Sequence, residues 1–234
     1  MSRREKDPRF SEKLKGYTKF FTGKDKEIYK DPVMYDAIVN GWLGRENLAR
    51  ETASIVSGAM PRHGGTILEV GAGTGVLTRQ LVQENPYAHV TGVDREPNAL
   101  EHLKKKAKES NLDNRIATVV FDFNDPCWPI EKDSFDGFTT LRANRYIRNL
   151  PAFLEHVREA LRPDGTLVFP VFPLDILPWK RHSDIGMRQP TLVRNIKNSI
   201  DKAGFRVEKT IPGGTDAIPV FYRPSYVIAT KTTA

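Results

Sequence analysis

From residue 66 onward the apolar positions alternate between two rhythms. Short β-type runs occur at Ile67-Leu68-Glu69-Val70, Val90-Thr91-Gly92-Val93, Ala117-Thr118-Val119-Val120-Phe121 and Ser134-Phe135-Asp136-Gly137-Phe138-Thr139-Thr140. Between them, apolar residues recur at helical spacing. Helices are predicted over Val76–Glu84 and at about 97–110, 149–161 and 190–203, the clearest stripe being Phe153, Leu154, Val157, Ala160 and Leu161. Pro97 marks one start and Gly204 one stop, as expected from a ring that fits the first helical turn and a residue that tolerates a left-handed cap. Pro163 ends a helix, Asp164-Gly165 supplies a turn, and a β-rich run follows. Phe205–Ile211 and Phe221–Thr230 predict a closing hairpin.

Ahead of this core, residues 1 to about 23 are polar with scattered aromatics and read as loop or weak helix. Asp31-Pro32 opens a short helix that Asn40-Gly41 closes. A second helix from about Arg45 puts Leu48, Thr52, Ile55, Val56 and Ala59 on one face and ends at Pro61.

The chemistry concentrates at the ends of the first three strands. The first runs into Gly71-Ala72-Gly73-Thr74-Gly75, a tight turn before a helix, where α/β proteins hold nucleotide-like ligands. Val76 stands where a dinucleotide fingerprint needs its third glycine, so that reading is set aside. The second strand ends in Asp94, close to the ~20-residue spacing at which an acid meets a ribose diol. The third leads into Asp122-Phe123.

Glu69 followed by this glycine spacing resembles the cofactor loop of class I S-adenosylmethionine-dependent methyltransferases, and the resemblance runs from about Thr66 to Val171. It implies an α/β, doubly wound, seven-stranded Rossmann-like sheet of order 3-2-1-4-5-7-6, strand 7 antiparallel, with an N-terminal helical lid. The implied division is a basic leader and lid over 1–62 and a cofactor-binding core over 63–234, one structural domain overall. S-adenosylmethionine is the implied cofactor, with Gly71, Gly73 and Gly75 letting backbone approach it. Glu69 then lies near the ammonium group, or instead caps the loop's own N–H groups. Asp94 accepts the ribose hydroxyls, a role compatible with an N-cap before Glu96-Pro97. Asp122 and the Phe123 N–H meet the adenine, although Phe123 also suits a core. Arg95 departs from the family's apolar residue and either stacks on the purine or points to solvent. Leu141 completes the cofactor set.

The segment after the fourth strand, Leu141 to Arg148, faces the methyl group in the family. Arg142, Asn144 and Tyr146 are the candidate catalytic residues. Arg142, Arg145 and Arg148 offer forks for a substrate carboxylate or phosphate, or line a solvated helix start. No Asn-Pro-Pro-Tyr or Asp-Pro-Pro-Tyr signature is present, against methylation of DNA bases or glutamine. Tyr17, Phe20, Tyr29 and Tyr35 are lid candidates, and Trp179 and His182 substrate-loop candidates. His102, beside Lys104, Lys105 and Lys106, reads as exposed and inert.

Composition narrows the classes. Cys127 is the only cysteine, which excludes a disulfide framework and a Cys-based zinc site; no metal spacing is seen. No apolar run approaches ~18 residues and the N-terminus is charged, so a cytoplasmic protein without a membrane span is expected. Of the net +7, residues 1–30 carry +5, with ten Lys and Arg against five Asp and Glu. A basic leader without a basic stripe on the body does not predict a nucleic-acid groove. The expected function is methyl transfer to a small molecule, an anionic one being the sharper form. The alternatives are a protein or RNA methyltransferase docking through the leader, or another reaction on the same cofactor fold.

Overall fold

The computed structural model describes residues 31–36, 45–60, 64–172, 193–214 and 223–232. Two helices, α1 (Pro32–Tyr35) and α2 (Arg45–Ala59), precede the αβ core. The core runs β1 (Thr66–Val70), α3 (Val76–Glu84), β2 (His89–Asp94), α4 (Pro97–Glu109), β3 (Ile116–Val120), β4 (Phe135–Thr140), α5 (Leu150–Ala160), β5 (Leu161–Val171), α6 (Val193–Lys202), β6 (Phe205–Pro212) and β7 (Ser225–Lys231). The strands make one sheet of order β3-β2-β1-β4-β5-β7-β6, with β7 antiparallel to both neighbours. This is the implied topology.

Side-chain alternation along each strand divides the core in two. Leu68 and Val70 of β1, Phe138 of β4 and Leu167 and Phe169 of β5 pack with Phe153, Leu154 and Val157 of α5 and Ile196 and Ile200 of α6. The opposite face carries Ile67, Val90, Val168 and Ile228 against Ala49, Ala53 and Val56 of α2 and Leu77 and Leu81 of α3. Leu100 and Leu103 of α4 close the same side over Ala72. The described part of residues 1–62 therefore shares its apolar packing with the core.

Local chemistry sets the boundaries. Asp31 caps α1 by accepting from the Val33 and Met34 N–H groups, and Asn149 caps α5 by accepting from Ala152. The closure expected at Asn40-Gly41 lies outside the described residues, as does the expected start of α6. Two boundaries differ from expectation. The turn at Asp164-Gly165 does not precede β5 but lies inside it, as a bulge. Phe135 pairs with Leu161 and Gly137 with Thr166, so three extra β5 residues loop out, and Asp164 takes φ +60°. β7 begins at Ser225, later than the hydrophobic pattern implies, immediately after Pro224, which has no N–H for the ladder.

Candidate functional site

Parallel strands aim their C-terminal ends at one edge of the sheet, and the chain reverses its winding between β1 and β4. A crevice forms at such a switch point. Val70 leads into the glycine turn there, and the N–H groups of Gly71 and Ala72 donate to the Val93 carbonyl at 2.7 and 2.9 Å. The turn is thereby tied to β2. All three glycines have positive φ, at +77°, +53° and +80°.

Their surroundings differ. A Cβ on Gly71 would sit 2.1 Å from Cβ of Ala143, and one on Gly75 would sit 2.1 Å from Cδ1 of Leu103. At Gly73 the nearest atom would be Oδ2 of Asp94, at 3.9 Å. Two glycines are therefore required by protein packing, while at Gly73 no described residue comes closer than ordinary contact. Its N–H donates to Oδ2 of Asp94 at 2.8 Å, while Oδ1 of the same carboxylate accepts from the Glu96 N–H at 3.0 Å. Burial raises the Asp94 carboxyl pKa, although these two backbone donors oppose the rise. Each carboxylate oxygen retains a lone pair for a further donor. A carboxylate beside a glycine backbone that no described residue crowds fits the nucleoside end of S-adenosylmethionine, so the residues present suit that group.

Beneath the turn lies Glu69, 1% exposed, on the face covered by α2 and α3. Its Oε2 accepts from the Thr78 hydroxyl at 2.6 Å, a partner on α3 and not a loop N–H. Burial pushes its carboxyl up to about 7, against the Thr78 hydrogen bond and helped by the charge of Asp94. A cleft over this acid is lined by Gly71, Ala72, Gly73, Thr74, Leu141, Tyr35 and Arg45. Arg45 was not among the expected site residues. It opens α2, and no local pattern distinguishes it from a solvated helix start.

The remaining expected residues fall into two groups. Asp122 is half-buried and Oδ1 accepts from the Asn124 backbone and side chain at 2.9 and 3.0 Å. Arg95 is exposed, 3.6 Å from Glu96 and 4.0 Å from Asp122. Phe123 is a core aromatic, edge-on to Phe153. Beyond β4, Leu141 lines the cleft, but Arg142, Asn144 and Tyr146 do not. Arg142 is buried at φ +65° with its guanidinium 4.6 Å from the centre of the Phe172 ring. Asn144 is buried and donates to the Pro170 carbonyl at 3.0 Å, which ties this loop to the end of β5. Tyr146 packs against the larger core. The lid candidates Tyr17, Phe20 and Tyr29 and the loop candidates Trp179 and His182 lie outside the described residues.

His102 is not the exposed, inert residue its lysine neighbours suggest. Its side chain is 15% exposed and bonds Oδ2 of Asp36 at 3.0 Å. Lys106 reaches the same oxygen at 2.6 Å, and the Thr74 hydroxyl donates to Oδ1. Asp36 thus fastens the end of α1 to α4 and to the glycine turn.

Residues 67–165 match the model of a family described as a methyltransferase domain. This match and the curated relatives support the resemblance to class I S-adenosylmethionine-dependent methyltransferases. Among curated relatives, it is 32% identical over 122 residues to the ubiquinone/menaquinone biosynthesis C-methyltransferase of Paracoccus denitrificans, covering 51% of this chain and 48% of that protein. The chain spans about half the length of the curated relatives it matches. Its fold is shared with a geranyl diphosphate methyltransferase solved with its cofactor, at TM-score 0.62 and 16% identity over 89% of this chain and 95% of that one. It is shared equally with a [4+2]-cyclase, at TM-score 0.64 and 14% identity over 79% and 82%. The methyltransferase match coincides with the segment that builds the glycine turn, Asp94, Asp122 and the β4 loop.

Proposed function

We propose that this protein transfers the methyl group of S-adenosylmethionine to a small-molecule acceptor. The observation that carries the reading is the Gly73–Asp94 pair: a glycine N–H that no described residue crowds, on a half-buried carboxylate, at the switch point of the sheet. When bound, the cofactor supplies an already activated sulfonium methyl. The chain's own residues then have mainly to bind, align and exclude water. Asp94 accepts from ribose hydroxyls through its remaining lone pairs, and Asp122 and the Phe123 N–H take the adenine edge. Glu69 sits deepest and balances the ammonium group. Leu141 covers the cleft, and Asn144 holds the β4 loop against β5.

The small-molecule acceptor draws support from the curated relatives, which include C- and O-methyltransferases of quinone biosynthesis. An anionic acceptor gripped by Arg142 draws little support from the geometry, since that guanidinium lies on Phe172 and not in the cleft. The test is a turnover screen of small quinols, phenols and carboxylates that follows S-adenosylhomocysteine release. Acceptor-dependent release supports the proposal. Cofactor binding with product formed but no S-adenosylhomocysteine would replace it with another reaction on this fold.

A further inference from the structure

The cleft pairs one acid with one base. The fully buried Glu69 and the half-buried Arg45 both line it together with the glycine turn. Arg45 is half-buried, yet among the described residues no carboxylate pairs with it. Its contacts are with Tyr35: Nη1 donates to the phenol oxygen, and the guanidinium carbon lies 5.7 Å from the ring centre. The ring contact and the hydrogen bond hold the guanidinium against Tyr35 while its other N–H groups remain available. A guanidinium drawn partly out of water without a counter-charge is unfavourable, and a planar carboxylate is the group its fork matches best.

We propose that Arg45 receives the α-carboxylate of the cofactor's amino acid end, with Tyr35 orienting the guanidinium. The cleft is then complementary to a zwitterion, presenting one acid and one base. The inference rests on the cofactor reading given under Proposed function. It makes α2 part of the ligand site, and not merely a cover for the sheet.

Calorimetry on the full chain tests it, using two ligands that differ only in the group concerned: S-adenosylhomocysteine and its decarboxylated analogue. The wild type is expected to prefer the carboxylate-bearing ligand by about tenfold or more, the scale of a hydrogen bond to a charged group. Arg45→Gln should bring the two affinities towards parity by weakening only the first, and Arg45→Lys should restore part of the preference. If Arg45→Gln weakens both ligands equally, or neither, the inference is overturned while the cofactor reading stands. If the wild type binds neither ligand, the cofactor reading itself fails. Thermal melts confirm that each variant is folded.

Discussion

At the scale of single residues, three glycines of one turn serve two purposes. Gly71→Ala and Gly75→Ala each force a Cβ to 2.1 Å from a neighbour, so both are expected to lower the melting temperature before any ligand is added. Gly73→Ala meets no such contact among the described residues and carries mainly the cost of its positive φ, about 1–2 kcal/mol. Its loss is expected in S-adenosylhomocysteine affinity, and calorimetry beside thermal melts separates the two classes. Glu69 offers a second prediction at this scale. Its folded pKa, about 7, is above the ordinary 4.5, so the folded state holds the proton more tightly than the unfolded one. The resulting stability is fully present below about 4.5 and is lost as pH rises through about 7. Denaturant unfolding from pH 4.5 to 8 should show this decline, and Glu69→Gln should flatten it. The grouping of the glycine turn, Glu69 and Asp94 was legible because it rests on fixed residue types at fixed short spacings, and the structure brings them together at one strand edge. Arg45 and Asp36 were not, because their significance comes from contacts across the fold: Asp36 meets residues 66 and 70 positions away.

At the scale of elements, α1 has one turn and no buried residue of its own. Such a short helix is not stable by backbone hydrogen bonding alone. Asp36 compensates through α4 and the glycine turn. Burial works against its ionised form, but hydrogen bonds from Lys106, Thr74 and His102 win and hold its carboxyl below the usual 3.8. Its contribution is therefore present above that value and lost as pH falls through the folded one. Asp36→Ala should release α1, read as faster amide exchange at 33–36 with the exchange of β1 and β4 unchanged. Equal exchange in both proteins would show that other contacts hold α1. Where a core helix boundary was readable, it rests on a local device, such as Pro97 at the start of α4. The β4–β5 bulge was not, since a turn inside a strand and a turn before one have the same composition.

At the scale of the whole molecule, strand and helix alternation gave the class of fold, while the strand order came from the family resemblance. Spacing alone carries no information about which strands are neighbours. One long-range bracket shows what else pattern reading omits. Tyr226 of β7, fully buried, shares a hydrogen bond with Thr52 of α2 at 3.0 Å and donates to Glu51 at 3.1 Å. Glu51 in turn accepts from the Gly214 N–H beyond β6. The bracket joins α2, whose first residue is Arg45, to the far edge of the sheet. Burial raises the Tyr226 phenol pKa, so it remains a neutral donor at physiological pH. Tyr226→Phe keeps the ring in the core and removes only the hydroxyl. With Tyr226 donating to Glu51, the Thr52 hydroxyl donates to the phenol oxygen. Once that oxygen is removed, Thr52 can turn to the Leu48 carbonyl 2.8 Å away, so no buried donor is orphaned there. The expected cost is about 1–2 kcal/mol of unfolding free energy. Thr52→Val should cost a similar amount, and the double variant less than the sum, because both remove the same contact. Additive losses would show that the two hydroxyls stabilise the fold separately and that the bracket is not a unit.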